Sequence, residues 1–450
     1  MNSMEENKNI SLITLVWPLF IQSFLNLFMG NVNVLMLSRY SDDAVGAVGV
    51  ANQIINIINV MYNVVGMGTA IIISQYIGAG KRYMASKIAN LAIMVNFIFG
   101  LLLSMFLIFF AKPLLEAMNI PEELLKYAWQ YTVIVGGASF AQALMSTMSA
   151  IAQSYGYTNI PMFVSLGMNV INIIGNCIVI FKPFGIPSFG VPGIAVSLVI
   201  SQFLGVLYMT VILYRYLNIR IKLSDLMPFP KDFLKQIITV GMPAAGEYIS
   251  YAFSQMASTY IISLLGSAAI TTKVYVQNLT FFVYVFSLSI GQGTQILIGY
   301  MVGAGNAEKA YQRCIRSLRV AVLLNAVMSV VCMLFSKSLL SIFTKDPLIV
   351  SAGCTLLFID IFVETGRALN HVLASSLRGA SDVRYPTAVA VISMWVFGVA
   401  FVYILGIGFQ LGIMGVWIAF GLDECIRGLV LLKRWRTRTW QKSALISTTI

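Results

Sequence analysis

The sequence predicts an all-α integral membrane protein: twelve transmembrane helices in two six-helix bundles related by a pseudo-two-fold axis along the membrane normal. Three observations carry this prediction. They are an apolar composition, a recurrence of runs long enough to cross a bilayer, and an internal repeat at half the chain length.

Of the 450 residues, 58% are hydrophobic and only 10% are charged, and the mean hydropathy is +0.85. A water-soluble domain carries about 25% charged residues to cover its surface, so lipid must surround most of this chain. A hydrocarbon core needs roughly 20 apolar residues per helix. Runs of that length fall near 11–37, 46–76, 88–111, 125–153, 161–181, 193–214, 236–265, 277–302, 316–336, 349–376, 386–408 and 412–432. They lack the alternating pattern of outer-membrane strands and are read as helices, which satisfy their own backbone groups in lipid. The run beginning at Ile10 is too long for a cleaved leader and is expected to stay in the protein.

The net charge of +12 is a topology signature with no bearing on nucleic acid. About 20 of the 29 Lys and Arg fall on one side of the twelve segments, including Lys8, Lys81, Arg82, Lys309 to Arg319, Arg378 and Lys433 to Lys442. The positive-inside rule therefore expects both termini in the cytoplasm, in a multi-pass protein of the cell membrane. Cys177, Cys314, Cys332, Cys354 and Cys425 have neither metal-ligand nor disulfide spacing and read as small core residues.

The repeat is read from five matches at one offset of 225 residues, half the chain. Pro18 matches Pro243, and Gly66-x-Gly68-Thr69 matches Gly291-x-Gly293-Thr294. Gly78-Ala79-Gly80 matches Gly303-Ala304-Gly305, Lys112-x-Leu114-Leu115 matches Lys337-x-Leu339-Leu340, and Pro161 matches Pro386. Six helices per half is an even number, so both halves enter the membrane from the same side, as in parallel transporter repeats. The expected division is a bundle over 1–214, a cytoplasmic linker over 215–235 containing Pro228 and Pro230, and a bundle with a short basic tail over 236–450. No Gly-Lys-Ser phosphate loop and no His-Glu-x-x-His helix occurs, which leaves transport as the expected work of such a chain and an integral membrane enzyme as the remote alternative.

An ionisable group inside a membrane helix costs about 2.5–3.5 kcal/mol on insertion scales and is by default a functional candidate. Those placed deep in the bilayer all lie in the second half: Glu247, then Asp360, Glu364, Arg367 and His371 in the tenth helix, then Asp423, Glu424 and Arg427 in the twelfth. The spacings of four, three and four put the tenth-helix group on one face, expected to meet Glu247 and the Asp423/Arg427 pair inside the bundle. Acids outnumber arginines there, as a proton or Na⁺ site requires. The coupling candidates are Glu247, Glu364, Asp360, Asn370 and Asp423, with Arg367, His371, Glu424 and Arg427 as the supporting charges. Equally, the acid–arginine pairs could be static bridges between helices, and His371 either a packing residue or a proton relay.

The first half carries amides instead. Asn52, Asn56, Asn59 and Asn63 form a stripe on the second helix, either gluing helices together or lining a wet cavity. Cavity candidates are Gln22, Asn26, Asn33, Asn52 and Asn56 from the first half, with Tyr251, Gln255, Gln277 and Gln295 from the second. The 23 methionines and 12% aromatics suit an adaptable apolar pocket. No cofactor or structural metal is expected. The expected partners are a small-molecule substrate and the bilayer, with the chain a monomer.

Trp17-Pro18, Gly66-Met67-Gly68-Thr69 followed by Gln75 and Gly78-Ala79-Gly80, their echo Gly291-Gln292-Gly293-Thr294-Gln295 with Gly303-Ala304-Gly305, and Leu377-Arg378-Gly379 before Asp382 run in register over nearly the whole chain. Together they resemble the multidrug and toxic compound extrusion (MATE) family. The resemblance implies a two-bundle fold with a V-shaped cleft, and export of bulky, often cationic amphipathic drugs against inward H⁺ or Na⁺. A lipid-linked precursor flippase of the same superfamily is the alternative. Three departures stand out: Asn33 occupies the place of a helix-one aspartate, Tyr251 that of the helix-seven glutamate, and Arg367 that of the helix-ten acid. Glu247 and Glu364 each lie one turn earlier, so the resemblance implies coupling moved to the C-terminal bundle.

Overall fold

The computed structural model describes residues 11–181, 190–217, 219 and 231–445. Lys8 and the linker prolines Pro228 and Pro230 lie outside the described residues. The helices in chain order are α1 (Leu12–Ser38), α2 (Asp42–Gly78), α3 (Arg82–Ala117), α4 in two halves (Glu122–Gly137 and Ser139–Ser154), α5 (Asn159–Phe181) and α6 (Gly190–Tyr216). Then come α7 (Lys231–Ser263), α8 (Ser267–Gly303), α9 (Ala307–Leu334), α10 (Pro347–Gly379), α11 (Arg384–Gly408) and α12 (Gly412–Arg436).

Among the described residues, nine of these helices are individually long and apolar enough to cross a membrane, and the two halves of α4 form a tenth span bent by 47°. The remaining two, α7 and α12, also carry ionisable residues: Glu247 on one, Asp423, Glu424 and Arg427 on the other. Their polarity is spent inside a bundle, where hydropathy alone misjudges it. The surface is inverted relative to a soluble protein, with Ile13 78% and Phe109 70% exposed while Glu364 is 0% exposed.

The bend in α4 has a local cause. Gly136 and Gly137 precede it, a pair with no side chains to hold a helix straight, and Gly136 lets Leu107 of α3 pack against the backbone. One repeat later the same places hold Ile361 and Phe362, and α10 runs unbroken over 33 residues. The expected continuous fourth helix is therefore corrected to two. The unbroken tenth helix is what keeps Asp360, Glu364, Arg367 and His371 on one straight face.

The chain divides into two compact units: Met1–Phe20, Ser74–Gly80 and Pro243–Ile450 form one, Ile21–Ile73 and Lys81–Met242 the other. Thus the opening of α1 and the last turn of α2 pack with the second-half helices, and the opening of α7 packs with the first-half helices. Glycines make these approaches possible. A Cβ at Gly68 would run into the backbone of Ile237, and one at Gly293 into Leu12, Leu15 and Val16, so the same contact recurs at the 225-residue offset.

A second contact is its own repeat within one unit. A Cβ at Gly78 would meet the Tyr300 carbonyl, and a Cβ at Gly303 would meet the Gln75 carbonyl. Gly78 and Tyr300 map onto Gly303 and Gln75 under the offset. The Gly-Ala-Gly tripeptides legible in the sequence are thus the places where α2 and α8 touch backbone to backbone. The Gln75 side chain adds to the junction, donating through Nε2 to the Gly379 carbonyl and the Ser381 hydroxyl, each at 2.9 Å.

Gly78→Val and Gly303→Val are each expected to lower thermal stability, because backbone cannot rotate out of the way as a side chain can. Overpacking of this kind costs about 1–3 kcal/mol. Gly246→Ala, where nothing lies within 4 Å, should leave the melting midpoint of the purified protein unchanged or slightly raised. Equal melting of all three variants would refute the close approach.

Candidate functional site

In the unit containing Pro243–Ile450, α10 packs against α8, α9 and α12, so its polar face is enclosed by helices rather than lipid. Asp360 and Glu364 are 3% and 0% exposed. The Arg367 guanidinium bridges two acids, pairing through Nη1 with Glu364 on its own helix and through Nε with Glu424 of α12 at 3.2 Å. Glu424 also accepts from Asn370 Nδ2 at 2.9 Å. The Tyr284 ring of α8 lies 5.5 Å from the guanidinium carbon, in cation–π range.

One turn along α10, Asp360 Oδ1 accepts from the Trp417 indole at 3.0 Å. Its Oδ2 and Glu364 Oε2 are buried with no hydrogen-bond partner among the described residues. Asn325 of α9 donates to the Glu364 carbonyl at 3.2 Å and to Ser287, tying the middle of α10 to both neighbours. Arg427 pairs with Asp423 one turn away on α12, and the Ser393 hydroxyl of α11 donates to the same carboxylate. His371 sets its ring edge-on to Tyr284, 5.5 Å between centroids, and forms no ion pair among the described residues.

Two expectations need correction. Glu247 does not join the α10 cluster directly. It accepts from Arg378 at 2.6 Å, in the last turn of α10, and from Thr387 of α11 at 3.3 Å. Arg378 lies fourteen residues beyond Glu364, about 21 Å along the axis at 1.5 Å per residue. Nor are Glu247 and Glu364 left without a cation, because Arg378, expected at the membrane surface, supplies one of them. Five carboxylates still face three arginines, and the unmatched oxygens gather at Asp360 and Glu364.

The first-half unit is organised by amides. Gln22 accepts from Gln153 at 3.1 Å and donates to Ser165 at 3.5 Å. Asn33 accepts from Asn176 at 2.9 Å, and Asn176 donates in turn to Asn172 at 3.4 Å. Asn172 and Asn176 of α5 are buried and were not singled out from the sequence, although Asn169, Asn172 and Asn176 stand at helical spacing. The position expected to have lost a helix-one acid therefore sits in a neutral amide chain.

Asn26, Asn56 and Asn63 are exposed, while Asn52 and Asn59 are half-buried. Of the α2 stripe, Asn63 alone has a side-chain partner among the described residues, accepting from Ser146 at 2.8 Å. A stripe that gluing helices together would consume is thus mostly free. In the other unit Tyr251 and Gln277 are exposed and Gln255 and Gln295 half-buried. Lys273 is a further polar group not foreseen: α8 begins ten residues earlier than expected, which places it on a helix, 6% exposed, with Nζ donating to Thr259 at 2.8 Å.

The MatE family model matches residues 18–178 and 243–404, two stretches that open on the repeat-related prolines. The chain belongs to the MatE family. It is 43% identical to "Uncharacterized transporter YisQ" of Bacillus subtilis over 96% of this chain and 95% of that one. It is 26% identical to "Probable multidrug resistance protein NorM" of Thermotoga maritima over 97% and 94%. Among solved structures it is similar to an outward-facing multidrug resistance MATE transporter of the MOP superfamily, with TM-score 0.87, 20% identity and 96% of each chain covered. It is also similar to a MOP superfamily transporter from Pyrococcus furiosus whose binding pocket of reverse polarity is described as suggesting a different function, with TM-score 0.85, 19% identity and 95% of each covered.

As a MatE protein the chain is a multi-pass membrane transporter and not an enzyme. Arg367 is the keystone of its charge network, since removing it leaves both Glu364 and Glu424 without their cation. Breaking a buried pair on one side costs about 3–5 kcal/mol. Arg367→Met should therefore melt well below wild type in detergent, and the double variant Arg367→Met/Glu364→Gln should recover part of that loss. No recovery in the double variant would show that the two side chains do not interact.

Proposed function

We propose that the chain is a secondary antiporter that exports amphipathic, often cationic compounds in exchange for H⁺ or Na⁺, with Asp360 and Glu364 as its coupling carboxylates. The observation that carries this reading is the pair of buried carboxylate oxygens, Asp360 Oδ2 and Glu364 Oε2, that lack a partner among the described residues and lie on one face of α10. Buried charge without compensation is costly, and a group in that position gains from a proton or a cation. Five acids against Arg367, Arg378 and Arg427 leave two negative charges over, and protonation of Asp360 and Glu364, or a bound Na⁺ with one proton, brings the network to neutrality.

Glu247 fits a supporting role in this reading, because Arg378 and Thr387 already answer its charge. Asp423 is likewise held by Arg427 and Ser393. On the substrate side, the exposed amides Asn26 and Asn56 of the first-half unit have no reason to face lipid, and a wet cavity is the environment that suits them. Similarity over nearly the full chain to a relative bearing the name probable multidrug resistance protein supports drugs as the substrate class. The bias of Lys and Arg supports both termini in the cytoplasm of a cell-membrane protein.

The test is efflux of a fluorescent cationic dye in everted vesicles under an imposed ΔpH or Na⁺ gradient. Wild type should respond to one of the two gradients, and Asp360→Asn and Glu364→Gln should each reduce that response at least tenfold, whereas Glu247→Gln should reduce it less. Full gradient-driven transport in both α10 variants would remove the coupling assignment. Transport that needs ATP and ignores both gradients would remove the antiport reading.

A further inference from the structure

The basic end of the second-half unit carries a groove that the transport network does not use. Tyr311, Gln312, Ile315, Arg316 and Arg319 of α9 line it with Arg436 of α12, around a cavity of about 510 Å³. A second groove of about 330 Å³ adjoins it through the shared Arg436, lined by Leu429, Leu432, Lys433 and Thr437. Together they present four cations, Arg316, Arg319, Lys433 and Arg436, and no acidic residue. None of the four forms an ion pair among the described residues. The nearby acid, Glu308, is taken by Arg438 at 2.6 Å. One turn before Arg316, Arg313 holds Nε and Nη2 buried with no acceptor among the described residues.

Position along the helices gives the groove its meaning. Beyond Arg319, α9 turns apolar, and Leu323 is 66% exposed. On α12 the chain runs the other way and turns basic after Leu432, with Leu429 58% exposed. The two helices change from apolar to cationic at the same groove, so the groove marks the plane where hydrocarbon gives way to headgroups. Basic pockets between helices at that level suit phosphorylated headgroups, and arginine forks match phosphate oxygens in pairs.

We propose that this groove binds an anionic phospholipid, its phosphate held by Arg316, Arg319 and Arg436 and its acyl chains laid over Leu323 and Leu429. Lys433, which lines the second groove one turn before Arg436, adds charge for a second phosphate, which favours a diphosphatidyl lipid over a single-phosphate one.

Native mass spectrometry of the purified full chain tests this, titrating cardiolipin, phosphatidylglycerol or phosphatidylcholine into detergent. Cardiolipin and phosphatidylglycerol adducts should persist at least about tenfold more than phosphatidylcholine adducts, and 10 mM inorganic phosphate should not displace them. The exposed-site variant Arg316→Ala/Arg319→Ala/Arg436→Ala should bring anionic lipid down to the phosphatidylcholine level. If that triple variant misfolds by its elution profile, Lys433→Gln/Arg436→Gln should still lower cardiolipin retention at least about threefold. Equal retention of all three lipids, unchanged retention in a folded variant, or displacement by inorganic phosphate would each overturn the proposal.

Discussion

A carboxylate enclosed by helices in a bilayer has to be answered by something positive, and the second-half unit of this MatE protein is built around that demand. Arg367 answers two acids at once, Arg427 a third and Arg378 a fourth. Asp360 is given a neutral donor, the Trp417 indole. Most of the polar contacts on α10 follow from this allocation: Asn370 completes Glu424, and Tyr284 covers the face of the Arg367 guanidinium. The cations run out before the acids do: three arginines answer four carboxylates, and the fifth, Asp360, has none. The residual demand falls on two oxygens of one helix face, and the coupling proposal rests on them.

Duplication supplied the frame and divergence supplied the chemistry. Helices α2 and α8 begin and end 225 residues apart, as do the starts of α3 and α9, of α4 and α10, and of α5 and α11. The contacts follow the same rule. A Cβ at Gly66 would meet Ser146 and Ala150, and a Cβ at Gly291 would meet His371 and Ser375, again one offset apart. Yet Glu364 corresponds to Ser139, and Arg367 to Gln142. One half therefore solves its interior with hydroxyls and amides, such as the Tyr62–Ser139–Ser104 hydrogen bonds, and the other with ion pairs.

Much of the site was legible because periodicity is a local property. The tenth-helix residues at four, three and four share a face in the structure as any straight helix requires. Asp423 and Arg427 pair as neighbours four apart do. What was not legible depended on how far each helix continues and on what its partners bring. Arg378 was expected outside the bundle, but α10 runs to Gly379 and α7 starts at Lys231, so its guanidinium and Glu247 meet at the end of the bundle. Asn172 and Asn176 carried the spacing of a polar face, but nothing in α5 itself tells that the face opposes Asn33.

By itself the sequence determined the solvent, the number of spans, the repeat and the residue types on each helix face, because composition and periodicity act within one segment at a time. Only the tertiary structure decided which acid meets which cation across helices, that Trp417 and Tyr284 join the network, and where α4 bends while α10 stays straight. Those outcomes depend on close approach between helices far apart in the chain. A glycine at such an approach, such as Gly78 against Tyr300, looks in sequence like any other glycine in a membrane helix.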